Sequence, residues 1–88
     1  MSLILCFIAD GYLYGASEDP QADDPNFWRP CFIGEEDRAF TLVRVWVDPE
    51  IGDMLLAQGT SNQVYSDGYE AAGAVAVIDQ EVVWKEGE

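Results

Sequence analysis

Eighty-eight residues, 49% of them hydrophobic and 12% aromatic, make one domain with a modest core, and are too apolar for a disordered acidic tail. Seventeen Asp and Glu face four Lys and Arg, with no His, for a net charge of −13. That balance excludes direct binding to nucleic acid, whose phosphates need cations, and adsorption to an anionic membrane.

The segment 1–9 is apolar but has no Lys or Arg ahead of its apolar run, and Asp10 interrupts it, so it does not read as a signal peptide. No later stretch approaches the roughly 18 apolar residues of a membrane helix, and a cytoplasmic location is expected. Residues 3–9 read as a strand, Asp10-Gly11 as a type I′ hairpin turn, and 12–14 as the returning strand. Residues 17–26 carry two prolines and four acids and read as an acidic loop. Its oxygens do not follow the EF-hand pattern, so a solvated loop is expected rather than a calcium site. Phe27-Trp28 and Cys31-Phe32-Ile33 flank Pro30, which predicts an edge or kinked strand. Cys6 and Cys31 both sit in apolar runs and are expected to be buried, reduced thiols, with a disulfide as the alternative. Without His they are poor zinc ligands, and no cofactor is expected.

Residues 34–37 form a turn, and 40–47 the clearest strand. Thr41, Val43, Val45 and Val47 line one of its sides and Phe40, Leu42, Arg44 and Trp46 the other. Two apolar sides predict a central strand covered by a helix or a second sheet. Asp48-Pro49-Glu50 supplies a helix start, and Ile51, Met54 and Leu55 share a helical face, so a short helix near 49–58 is favoured over a hairpin. Asp67-Gly68 repeats the hairpin dipeptide between 62–65 and the residues from Tyr69. Residues 75–78 and 82–84 finish as strand, with a bend or turn at Asp79-Gln80. The fold class is mainly β (α+β): a small antiparallel sheet of about five strands with one short helix, in a single domain 1–88 with a frayed end at 85–88.

Catalytic constellations are missing. The commonest general base is absent, as are a phosphate-cradling loop with Lys and a GxSxG elbow. Carboxylate pairs abound, but a chain this short rarely builds a substrate cleft, and no enzyme is expected.

The acids themselves are the loudest signal. Ten of the seventeen fall in three clusters: Glu18, Asp19, Asp23 and Asp24; Glu35, Glu36 and Asp37; Asp48, Glu50 and Asp53. If these turns converge on one face, they form a negative surface that occupies the basic nucleic-acid groove of a partner protein. Phe27 and Trp28, beside the first cluster, are the expected exposed anchors; Trp46 and Trp84 are expected in the core. A small, strongly acidic, aromatic-rich chain without catalytic motifs resembles phage-encoded inhibitors of host defence, among them DNA mimics and anti-CRISPR proteins. That resemblance, one of composition, implies a host-cytoplasmic inhibitor of a nucleic-acid-binding protein or complex, and assigns no residue a role. The alternative is a salt-adapted or generic soluble acidic domain, since charge far from zero also favours solubility.

Overall fold

In the computed structural model, residues 1–57, 62–63 and 74–84 are described. Strand β1 (Ser2–Ala9) turns back into β2 (Tyr12–Ser17) through Asp10 at φ 54° and Gly11 at φ 78°. This is the left-handed pair that a type I′ turn demands and that Asp-Gly tolerates. The chain then forms a 3-10 turn (Pro20–Asp23), a one-turn helix α1 (Pro25–Trp28) and a second 3-10 turn (Arg29–Phe32). Strand β3 (Phe40–Val47), helix α2 (Pro49–Ala57), the two-residue β4 (Asn62–Gln63) and β5 (Ala76–Val82) complete the order. The sheet is antiparallel throughout, ordered β4-β2-β1-β3-β5.

The alternation of β1 and β3 gives the sheet two buried faces, as their apolar patterning on both sides predicts. On one face Leu5, Phe7, Ala9, Phe40, Leu42 and Val82 pack beneath Ala22, Trp28 and Phe32. Phe7 is its centre, with ring centroids of Trp28, Phe32, Phe40 and Trp84 5.1–5.7 Å away. On the other face Ile4, Cys6, Leu13, Val43, Val45 and Val47 pack against Leu55 of α2. We refer to these as the aromatic face and the helix face.

Four expectations are corrected. Residues 27–32 are helical, not an edge or kinked strand, because Asp24 caps the start and Pro25 and Pro30 each occupy the first turn of a helical piece; Ile33 ends the second piece in an extended conformation. The acidic loop 17–26 is likewise ordered into a 3-10 turn capped by Asp19, so short helical pieces join α2. Strand β5 runs straight through Asp79-Gln80, in unbroken register with β3 from Ala76 opposite Trp46 to Val82 opposite Phe40. Cys31 is exposed on the second 3-10 turn while Cys6 is buried, and the two are not joined by a disulfide. The expected hairpin around Asp67-Gly68 and the frayed end 85–88 lie outside the described residues.

Candidate functional site

Each acidic cluster is placed by the element it begins or ends. Ser17 lies opposite Leu5, so β2 leaves the sheet there and Glu18 and Asp19 begin the crossing of the aromatic face. Asp19 accepts a hydrogen bond from the Gln21 N–H and Asp24 from the Asn26 N–H, each at 2.9 Å. Both carboxylates therefore serve as caps, satisfying amides that the turns leave unpaired. Asp23 pairs through its carboxylate with the Arg44 guanidinium, and its carbonyl accepts a second Arg44 bond at 3.2 Å. Arg44 comes from β3, so this pair ties the crossing segment to the sheet.

Glu35, Glu36 and Asp37 follow Phe32, at the far end of the crossing. Eight residues of α1 and the 3-10 turn separate Asp24 from Ile33, or roughly 12–16 Å of helical rise. The Glu36 carboxylate accepts from the Gly34 N–H at 3.0 and 3.1 Å. That bond, with one from its own N–H, holds the Glu36 carboxyl below the ordinary value of 4.5. Arg38 bridges Glu35 at 2.9 Å and Asp10 at 3.0 Å and bonds the Tyr14 hydroxyl at 3.0 Å. These partners, Tyr14 first and then Asp10, raise the guanidinium further above its already high value. The guanidinium also lies 5.0 and 5.3 Å from the Tyr14 and Phe40 ring centroids.

Asp48 follows β3 at the opposite end of the sheet from Asp10, and Glu50 and Asp53 ride on α2, exposed above the helix face. The three clusters therefore do not share one surface. The first two flank the segment crossing the aromatic face; the third belongs to the helix side. Glu18, Asp37, Asp48, Glu50 and Asp53 make no side-chain hydrogen bond or ion pair with the described residues.

The anchors divide. Trp28 is only 7% exposed, and its Nε1 donates to the Ala22 carbonyl at 2.8 Å, so it is core. Its ring lies over Gly15, where a Cβ would stand 2.5 Å from Cζ3. Phe27, edge-on to Trp28, stays 39% exposed, and Ile33, outside the expected anchors, is 78% exposed. Pro30 and Cys31 are exposed between them. Trp46 and Trp84 are partly buried; Trp84 packs on the aromatic cluster. A cleft of about 460 Å³ lies where Arg29, Gly34, Glu36, Asp37 and Trp84 meet. Among the described residues no group of three or more Cys, Asp or Glu is arranged to hold a metal ion. Among the same residues no helix is long and apolar enough to cross a membrane.

No protein-family model, no curated protein and no solved structure matches this chain.

Proposed function

We propose that this protein is a binding protein, not an enzyme, which covers the basic nucleic-acid-binding surface of a partner and blocks it, as a phage-type inhibitor of host defence would in a host cytoplasm. The observation that carries the reading is the makeup of the crossing segment. Its exposed Phe27 and Ile33 lie between the acidic turns 18–24 and 35–37. An apolar centre with a charged rim is how specific interfaces divide labour: anchors supply energy, and rim charges steer encounter. Phe27 remains an anchor candidate, Ile33 joins it, and Trp28 is withdrawn.

The alternative, a salt-adapted or generic acidic domain, draws on a different observation. Asp19, Asp24 and Glu36 hold turn amides, and Asp23 and Glu35 hold arginines, so half of the clustered acids have structural work. The test separates the two. Affinity for a purified RNA-guided nuclease and for an unrelated basic DNA-binding protein is measured at about 50 and 500 mM salt. Parallel measurements use Ile33→Ser and the pair Glu18→Gln with Asp37→Asn, none of which removes a native contact described above. The reading expects affinity to fall steeply with salt, Ile33→Ser to speed dissociation, and the acid pair to slow association. Affinity indifferent to salt and to all three substitutions refutes it.

A further inference from the structure

We propose that the outer edge of β5 receives an extended basic segment of the partner as an added strand, with cationic side chains over Asp79 and Glu81. The inference rests on the reading above, that the partner is basic, and names how it docks.

Among the described residues, β5 is the last strand of the sheet, paired with β3 on one edge only. The outward-pointing amides and carbonyls of this seven-residue strand, which no other described strand pairs, are a template for another chain unless something blocks them. The side chains along this edge are sorted by face. Asp79 and Glu81 stand opposite Val43 and Thr41, on the helix face; Ile78, 51% exposed, stands opposite Arg44 on the aromatic face. Valines 75 and 83 are also exposed at the two ends of β5. The strand therefore offers carboxylates about 6.6 Å apart on one side and an apolar contact on the other.

Charge chooses between occupants. A second copy of this chain pairing edge to edge would set Asp79 and Glu81 near their own counterparts. Like charges across a ladder are destabilising, and two molecules of net charge −13 repel at range. A segment alternating Lys or Arg with apolar residues reverses both effects and matches the period of two. The same two carboxylates thus reject self-association and admit a cationic strand, and that is how specificity by exclusion works. Backbone hydrogen bonds supply affinity in strand addition, and alternate side chains supply selection.

The test uses the folded full chain and a blocked eight-residue peptide alternating Lys and Val. Two further peptides of identical charge carry backbone N-methyl groups, one on every Lys and the other on every Val. Only one of those two sets can face β5 in a ladder. One methylated peptide should then bind about tenfold or more weakly, while the other keeps its affinity. Asp79→Lys with Glu81→Lys, at exposed positions, should lose the Lys-Val peptide and gain a Glu-Val counterpart, with circular dichroism unchanged. Equal binding of both methylated peptides, with the Lys variant unaffected, overturns the edge and leaves the acidic-surface reading standing. No binding of any cationic peptide at low salt removes both. A dimer of the free protein in sedimentation also overturns the proposal, since a second copy would then hold the edge.

Discussion

At the scale of single residues, the aromatic face is set by one glycine. Gly15 pairs with Phe7, yet the next partners are Leu13 and Ile8, so Tyr14 is the extra residue of a β-bulge. The bulge brings Tyr14 and the bare Gly15 toward the aromatic face together, Tyr14 to meet Arg38 and Phe32, Gly15 to make room for Trp28. A Cβ at 2.5 Å from a buried indole has nowhere to go, because Trp28 is itself stacked on Phe7 at 5.2 Å and hydrogen-bonded to Ala22. Gly15→Ala is therefore expected to destabilise by roughly 1–3 kcal/mol, the usual cost of overpacking. Trp28→Ala should cost about 3–5 kcal/mol by opening a cavity. The informative measurement is the double variant in urea. Because the two residues touch, Gly15→Ala should cost much less in the Trp28→Ala background, and strict additivity would show that the ring does not press on Gly15.

At the scale of elements, three Asp-Pro pairs each open a helical piece: Asp19-Pro20, Asp24-Pro25 and Asp48-Pro49. At the first two the Asp oxygen accepts a turn amide, and at all three Pro, fixed near the helical φ, loses no hydrogen bond in the first turn. Asp24→Ala should lower stability by about 0.5–2 kcal/mol and Asp24→Asn by far less, since Asn caps as well as Asp. Equal losses measured by chemical denaturation would assign the effect to charge instead. The same motif marks what sequence reasoning could reach. It identified α2 from Asp48-Pro49 with an apolar stripe behind it, but passed over the two earlier pairs because no such stripe follows them. Four- and eight-residue helical stretches give too few turns for a period to show. Strands β1 to β3 were legible because their apolar runs are long and Asp-Gly fixes the first turn. Trp28 was misplaced because it follows an acidic loop and adjoins Arg29-Pro30, while the contacts that bury it, Phe7 and Gly15, lie more than ten residues away. The joining of clusters on one surface failed for a related reason: which face a connection crosses depends on topology, and Asp48 leads to the face opposite Asp23.

At the scale of the whole molecule, charge acts on folding and on binding with opposite signs. Arg38 and Arg44 pair with Asp10, Glu35 and Asp23, yet the whole chain still carries an uncompensated charge of −13. Compacting such a chain brings like charges together, and salt screens them over a Debye length of about 10 Å at 0.1 M. Raising salt from about 50 to 500 mM should therefore raise the thermal midpoint, by about 4–8 °C for each kcal/mol of repulsion removed. The same step should weaken capture of a basic partner, because attraction between opposite charges is screened equally. Stability and affinity then move apart along one salt series, measured on one preparation by calorimetry and by binding. A salt-adapted domain behaves otherwise: it is unfolded at the low end and keeps gaining stability steeply toward molar salt. A midpoint that rises modestly and levels off, together with falling affinity, fits the inhibitor. A domain that folds only in molar salt would assign the acids to adaptation and take the partner surface away.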